Sequence, residues 1–271
     1  ALQSFSALEV AWGRTVLAAA TLAVVVLVTK DHYPRGKEIW IKLNVAALLF
    51  NTVSFVGMAT AVSRITTVQV SIWNALVPLV TLGFVLVFIP EENPTWRRIT
   101  GLSMGFLGAI FIAHPWSGLG DFDAFGTGAI MIGTTSYAAG LVYARRNFAN
   151  VSDTPTSIAA GQMLCASIHL TLILPWFVTL TTDASTISIV SMLILGIVGT
   201  GITYIMIQTL IKQSGAGVAS DTTYVILFVA IVLGIVVLGE ELNVWQIIGS
   251  GFILIGLVII NRKEKTSIIT P

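Results

Sequence analysis

The sequence predicts an all-α integral membrane protein made of two inverted five-helix repeats, with nine helices present in this chain of a ten-helix bundle. Three observations lead to this fold class: an apolar composition, nine apolar segments, and motifs that recur 148 or 149 residues apart. Of the 271 residues, 55% are hydrophobic and only 10% are charged, and the mean hydropathy is +0.91. A water-soluble surface needs more polar groups than this composition supplies, so most of the surface must face lipid.

Apolar runs predict the nine spanning helices, because about 20 apolar residues cross a bilayer core of about 30 Å. Short connections with breakers such as Pro34, Pro90 and Gly120 separate the runs. The predicted segments are residues 5–29, 39–62, 68–89, 99–114, 124–143, 155–180, 187–211, 216–238 and 244–260.

The Lys and Arg residues lie on alternate connections and thereby predict the orientation. Arg64 alone lies on one side, and Arg14 lies within the first segment. By the positive-inside rule the other side, which includes the C-terminus, is cytoplasmic. That side carries Lys30, Arg35, Lys37, Lys42, Arg97, Arg98, Arg145, Arg146, Lys212, Arg262, Lys263 and Lys265.

Recurring motifs predict an internal duplication. Glu91-Glu92 and Trp96 return as Glu240-Glu241 and Trp245, and Gly101 and Gly108 return as Gly249 and Gly256. Residues 1–120 then form a first repeat and residues 121–271 a second. The fifth segment has no partner in this chain, so we expect a five-helix repeat whose first helix precedes Ala1. An odd number of spans inverts one repeat relative to the other.

The order and spacing of several motifs resemble a known family. Trp12-Gly13-Arg14 opens an apolar helix, residues 137–146 end in paired arginines, and Leu238-Gly239-Glu240-Glu241 precedes a last helix with spaced glycines. This pattern resembles the drug/metabolite transporter superfamily, in particular its EamA-type members. The resemblance covers essentially the whole chain, but the family's first helix has no counterpart in it. The resemblance implies ten helices, a multi-pass protein of the bacterial inner membrane, and export or exchange of small metabolites, amino acids among them, by alternating access.

Polar side chains within the apolar segments are the candidate functional residues. An Arg at the depth of Arg14 must face the bundle, where it contacts a substrate carboxylate or closes an external gate; pairing with Glu9 is the alternative. Buried amides such as Asn51 and Asn74 need partners or a wet cavity. The predicted substrate-binding or translocation residues are Arg14, Asn51, Trp73, Asn74, Tyr137, Gln162, Tyr204, Thr223 and Tyr224, and for each of the polar ones a helix-packing hydrogen bond is the alternative.

Three further residues are assigned to motion or coupling. Pro78 removes a helical hydrogen bond and predicts a hinge in the third segment, whereas the second repeat has Leu227 at the corresponding position. His169 and Asp221 are the candidate proton-coupling groups. A packed, hydrogen-bonded histidine and a solvated aspartate near the cytoplasmic interface are the alternatives.

The residue types favour a secondary transporter over other classes. No Gly-rich phosphate loop followed by Lys is present, and the three His are isolated, so neither ATP-driven pumping nor an enzyme, cofactor or metal site is predicted. No basic run is long enough to bind nucleic acid. We expect a zwitterionic or neutral substrate such as an amino acid, with amphipathic drugs as the alternative, a proton or counter-substrate as coupling partner, and a monomer or homodimer in the lipid bilayer. Phosphorylated cargo needs more cations than Arg14.

Overall fold

The computed structural model describes residues 4–89, 95–113, 115–117, 123–176, 184–238 and 244–261. All regular structure in these ranges is helical, and nine helices follow the predicted order, which confirms the predicted fold class. They are α1 (Ala7–Val28), α2 (Lys37–Val62), α3 (Thr67–Ala75, resumed as Val77–Phe88), α4 (Trp96–Ala113), α5 (Ala124–Phe148), α6 (Pro155–Ile173), α7 (Thr186–Ser214), α8 (Ala216–Leu238) and α9 (Val244–Asn261). The acid pairs Glu91-Glu92 and Glu240-Glu241, and the predicted repeat boundary at residue 120, lie outside the described residues.

Five helical stretches of the described chain are long and apolar enough to cross a membrane: Ala7–Val28, Lys37–Val62, Gln69–Phe88, Pro155–Trp176 and Thr186–Ser214. Two shorter apolar stretches, Ala216–Val229 and Val244–Ile260, belong to α8 and α9. The helix α4 is less apolar because it carries Arg97 and Arg98 at its start, and α5 is less apolar because it contains several Gly, Thr, Ser and Tyr residues in addition to Arg145 and Arg146 at its end.

Polar residues at the helix starts accept hydrogen bonds from the first free backbone N–H groups. Ser6 and Glu9 form a capping box at α1, and Thr66 and Gln69 form another at α3. Asp123 accepts a 2.5 Å bond from the Gly126 N–H at the start of α5. These caps explain why the chain enters its helices where it does.

The helix ends lie in two groups at opposite ends of the bundle, so successive helices run in alternating directions. At the end rich in Lys and Arg, which we name the basic end, Arg145 Nη1 donates to the Ile211 carbonyl at 3.0 Å and Lys212 Nζ to the Val151 carbonyl at 2.8 Å. At the opposite end, Arg64 pairs with Asp123 at 3.6 Å. There Trp116 also packs on Trp245 with ring centroids 4.8 Å apart.

Contacts between corresponding residues of the two repeats are reciprocal. A β-carbon at Gly101 would lie 2.8 Å from the Gly256 carbonyl oxygen, and one at Gly108 would lie 2.5 Å from that of Gly249. Since Gly101 corresponds to Gly249 and Gly108 to Gly256, a two-fold rotation exchanges these contacts. The helices α4 and α9 run antiparallel there, so the second repeat is inverted relative to the first.

A second reciprocal contact joins α1 to α7 and α6 to α2. A β-carbon at Gly13 would lie 3.0 Å from Met192 Sδ, and one at Gly161 would lie 2.7 Å from Leu43 Cδ1. Each residue of the first contact has its counterpart in the second, 148 or 149 positions along the chain. The two-fold relation therefore extends from the outer α4–α9 pair into the core.

The repeats share one helix irregularity and differ in another. Each contains a π-helical turn, Leu48–Val53 in α2 and Ile197–Ile202 in α7, at corresponding positions. The break in α3 falls at Leu76, and Pro78 stands at the start of the resumed helix, where its missing N–H costs no hydrogen bond. The counterpart α8 continues through Leu227, so among the described residues the break at Leu76 has no equivalent in the second repeat.

Candidate functional site

A cavity of about 440 Å³ lies among α1, α2, α3, α5 and α8. Its volume falls in the range of small-molecule sites, roughly 300–1,000 Å³. Most of its wall is apolar or aromatic, with a few polar groups among them. The lining residues are Arg14, Ser54, Phe55, Met58, Ser71, Asn74, Ala75, Val77, Ile130, Gly133, Thr134, Tyr137, Thr223, Tyr224, Ile226 and Leu227.

Arg14 contributes the positive charge of this cavity, and no acidic residue is among the described residues that line it. Its Nε donates to Thr200 Oγ1 at 3.0 Å, and its Cζ lies 4.8 Å above the Phe55 ring centroid. Thr200 in turn donates to the Leu195 carbonyl at 2.8 Å within the π-helical turn of α7. The guanidinium is thus oriented from two sides by α2 and α7.

Four of the other predicted residues, Asn74, Tyr137, Thr223 and Tyr224, also line the cavity. The Tyr224 hydroxyl is shared between the carbonyls of Ala75 and Leu102, at 3.1 and 3.2 Å, so Tyr224 offers the cavity its ring. Ala75 corresponds to Tyr224 in the other repeat, which places this contact on the two-fold axis. These four residues come from α3, α5 and α8, whereas Arg14 comes from α1.

Thr134 is a lining residue that the sequence interpretation missed. Its side chain is 4% exposed, and its Oγ1 has no hydrogen-bond partner among the described residues. A buried hydroxyl without a partner loses the hydrogen bonds it makes in water, so a ligand that supplies one is favoured. The only sequence signal was its position one turn before Tyr137, in the Gly133-Thr134-Thr135-Ser136-Tyr137 stretch of an apolar helix.

Three predicted residues, Asn51, Gln162 and Tyr204, lie behind the cavity wall and do not line it. They form a buried chain between α2, α6 and α7: Asn51 Nδ2 donates to the Tyr204 hydroxyl, and Gln162 Nε2 donates to Asn51 Oδ1 at 2.7 Å. Gln208, which the sequence interpretation missed, extends the chain by donating to Gln162 Oε1 at 2.5 Å. The amides satisfy one another, which explains why they need no cavity.

This amide chain contains the symmetry counterpart of the Arg14 contact. Gln162 corresponds to Arg14 and Asn51 to Thr200, so the bond from Gln162 to Asn51 mirrors the bond from Arg14 to Thr200. One contact faces the cavity and the other is buried. The two repeats therefore use the same pair of positions in different environments.

The remaining predicted residues lie apart from the cavity lining. Trp73 packs in the apolar cluster of Ala61, Ile65, Val70 and Ile130. His169 Nδ1 lies 3.0 Å from Thr52 Oγ1 in the α2–α6 contact. Asp221 pairs with Arg98 of α4 at 3.3 Å. Pro78 follows the cavity-lining Val77 at the break of α3.

The described residues contain no group of three or more His, Cys, Asp or Glu side chains that are close enough to hold a metal ion. The single cysteine, Cys165 of α6, is buried in the apolar core. The chemistry of the site is therefore that of one guanidinium, neutral hydroxyl and amide groups, and apolar walls.

Comparison with known proteins agrees with this architecture. A profile of the EamA-like transporter family matches residues 1–114 and 124–262. The chain is 26% identical over 195 residues to an uncharacterized transporter of Archaeoglobus fulgidus, across 72% of this chain and 67% of the relative. One solved crystal structure superposes with a TM-score of 0.79 at 17% identity, across 94% of this chain and 88% of the other. At that identity the likeness shows the fold alone.

Proposed function

The chain belongs to the EamA-like transporter family and is a membrane transporter, and from this we propose that it exports or exchanges small metabolites by alternating access. The observation that carries the proposal is the cavity of about 440 Å³ between the two inverted repeats, in whose wall Ala75 and Tyr224 meet on the two-fold axis. A site at the repeat interface is exposed to either side when one repeat moves against the other.

The charge of the lining favours a substrate with a carboxylate. The Arg14 guanidinium faces neutral groups only, among the described lining residues, and its orientation by Thr200 and Phe55 prepares it for an anion. A charge-assisted hydrogen bond of this kind contributes about 1.5–3 kcal/mol. The oxygens of Asn74, Thr134 and Tyr137 are available to an ammonium group, so amino acids and related zwitterionic or neutral compounds are the proposed substrates.

Export of amphipathic drugs or toxic compounds is the second candidate. Apolar side chains of Phe55, Met58, Ile130 and Leu227 supply much of the cavity wall and suit a larger apolar ligand. A phosphorylated sugar fits less well, because one guanidinium compensates two or more phosphate charges poorly. Nothing in the lining offers the paired acids and bases of an intramembrane enzyme.

Overexpression in a sensitive bacterial host separates the two substrate classes. Cells are challenged with toxic amino-acid analogues and, separately, with amphipathic cationic drugs. We expect resistance to the analogues that is lost in Arg14→Gln, while the protein level in the membrane is unchanged. Resistance to drugs alone would support the second candidate, and resistance to neither would contradict export.

Proteoliposomes then test coupling to a proton or counter-substrate. Substrate uptake is measured with and without a pH gradient, and with and without the same compound inside. Stimulation by internal compound indicates exchange, and stimulation by the gradient indicates proton coupling. His169→Gln is the variant to examine if a gradient is required, because His169 contacts Thr52 between α2 and α6.

A further inference from the structure

A buried ion pair joins α4 to α8 near the basic end. Arg98 Nη2 lies 3.3 Å from Asp221 Oδ2, and the two side chains are 18% and 9% exposed. Arg98 Nε and Asp221 Oδ1 have no hydrogen-bond partner among the described residues. A buried pair with unsatisfied atoms contributes little net stability, whereas removing one partner leaves a buried charge uncompensated. This pair is therefore better suited to hold two elements in one arrangement than to stabilise the fold.

The backbone of α8 is shaped to receive the guanidinium. A β-carbon at Gly217 would lie 2.0 Å from Arg98 Nη2 and 2.4 Å from its Cζ. Glycine at this position is what lets Arg98 lie against the helix and reach Asp221, one turn further on. Any side chain at residue 217 must displace the Arg98 guanidinium.

The pair lies between the cavity and the basic end. Asp221 precedes the cavity-lining residues Thr223 and Tyr224 on α8, a helix that starts at the basic end. On α2 the lining residues are in the second half of the helix, and on α3 and α5 they run from the first half to the middle, away from the basic end. On α8 they begin two residues after Asp221, so the ion pair lies between the cavity and the basic end.

The inverted repeat has no equivalent of this pair at the opposite end. The position that corresponds to Asp221 is Ile72, and the position that corresponds to Arg98 is Gln246 or Ile247, because the repeats differ by one residue between Trp96 and Gly101. The two-fold rotation that relates the ends of the bundle therefore places neutral side chains where the basic end has an ion pair. The two ends are not energetically equivalent.

We propose that Arg98 and Asp221 form a one-sided latch that keeps the cavity closed toward the basic end. The latch rests on the proposed transport cycle, in which that end must open once per cycle. Opening separates α4 from α8 and breaks the pair, which leaves two buried charges until water reaches them. At the opposite end the corresponding positions are neutral, and the Arg64–Asp123 pair described there is 49% and 36% exposed, so its charges stay in contact with water when that end opens. The resting protein therefore favours the arrangement in which the cavity faces away from the basic end.

The test measures access to the cavity and does not depend on the substrate. In a Cys165→Ala background, Thr223→Cys reports the cavity floor, Ser152→Cys marks the basic end and Ser63→Cys marks the opposite end. Membrane vesicles of both orientations are treated with an impermeant maleimide. Gly217→Ala displaces the guanidinium without changing any charge, and Asp221→Asn removes the acid. Gly251→Ala, where a β-carbon meets no atom within 4 Å, is the matched control.

We expect Gly217→Ala and Asp221→Asn to raise the rate of Thr223→Cys labelling from the basic end by roughly tenfold or more. Gly251→Ala is expected to leave that rate unchanged. An unchanged rate in monodisperse Gly217→Ala protein overturns the latch, even if Asp221→Asn fails to fold. If labelling changes as expected but no substrate is transported in the assays above, the latch stands and the proposed substrates are wrong.

Discussion

At the residue scale, the proposed site contains one charged side chain among its described lining residues, Arg14 of α1. Arg14 is held by one hydrogen bond to Thr200 and by the face of Phe55. Because both partners are neutral, the positive charge stays available to an anionic group in the cavity. Thr200 is thus a positioning residue for Arg14, although it does not line the cavity.

Substitution of Arg14 tests its role in recognition. Arg14→Gln keeps a hydrogen-bonding group but removes the charge, and we expect the KM for a carboxylate substrate to rise roughly 10- to 100-fold, which corresponds to a charge-assisted bond of about 1.5–3 kcal/mol. Initial transport rates in proteoliposomes measure KM. Thr200→Val should raise KM less, and Thr200→Ser should restore it. Equal KM values for Arg14→Gln and the unsubstituted protein would contradict the proposed contact between Arg14 and a substrate carboxylate.

The amide chain makes a separate prediction about stability. Gln162→Met removes the acceptor of Gln208 and the donor to Asn51, and a buried polar group without a partner costs about 1–3 kcal/mol. We expect a lower melting temperature in detergent, measured by size-exclusion chromatography after heating. Gln213→Met, at an exposed glutamine near the end of α7, is the control that should melt with the parent. Similar melting of both variants argues against a stabilising chain.

At the element scale, α4 and α9 pack closely through glycines. The carbonyls of Gly101 and Gly256, and of Gly108 and Gly249, occupy the space that side chains would fill. In lipid, where apolar surface alone does not drive helices together, such close backbone approach supplies the packing energy. This contact closes the outer wall of the bundle and leaves the opposite faces of α4 and α9 to lipid.

Two alanine substitutions on α9, one at the contact with α4 and one in open space, test this packing. Gly249→Ala forces a β-carbon to 2.5 Å from the Gly108 carbonyl, whereas Gly251→Ala meets open space. Overpacking costs roughly 1–3 kcal/mol, while alanine in an open helical position stabilises by up to about 1 kcal/mol. Gly249→Ala should therefore melt below the parent and Gly251→Ala at or above it. The reverse order would show that α4 and α9 do not pack through this face.

At the scale of the whole molecule, one two-fold axis relates the repeats but the chemistry departs from the symmetry. Arg14 and Gln162 occupy equivalent positions, yet one faces the cavity and the other is buried in amides. The α3 helix is interrupted at Leu76, before Pro78, while α8 is continuous at Leu227. These departures make the two ends of the bundle chemically different, which the proposed alternating access would use to favour one resting state.

The orientation in the membrane is the prediction at this scale. If the basic end faces the cytoplasm, an impermeant thiol reagent added to sealed cells should label Ser63→Cys and leave Ser152→Cys unlabelled until the membrane is opened. Both side chains are exposed and lie in connections at opposite ends. Labelling of Ser152→Cys in intact cells would reverse the assignment. A lysed sample serves as the control for intrinsic reactivity.

The sequence by itself determined the number and order of the helices and the pairing of the repeats. The lengths of the apolar segments, the turn residues between them and the recurring motifs are local properties of the sequence, so they can be read from the sequence alone. It also predicted Arg14, Asn74, Tyr137, Thr223 and Tyr224 as site residues from polar or aromatic groups in lipid-spanning segments, and the structure places these five in the cavity lining.

Only the tertiary structure decided which polar side chains face one another. Asn51, Gln162 and Tyr204 have the same sequence signature as the cavity residues, but a partner on another helix turns them into a closed network. Thr134 was signalled only by its position one turn before Tyr137, and Arg98 only as one of the basic residues that predict orientation, because the contacts of neither residue can be read from the sequence. The hydrogen bonds from Asn51 to Tyr204 and from Gln162 to Asn51 join residues 153 and 111 positions apart, so no local property of the sequence indicates them.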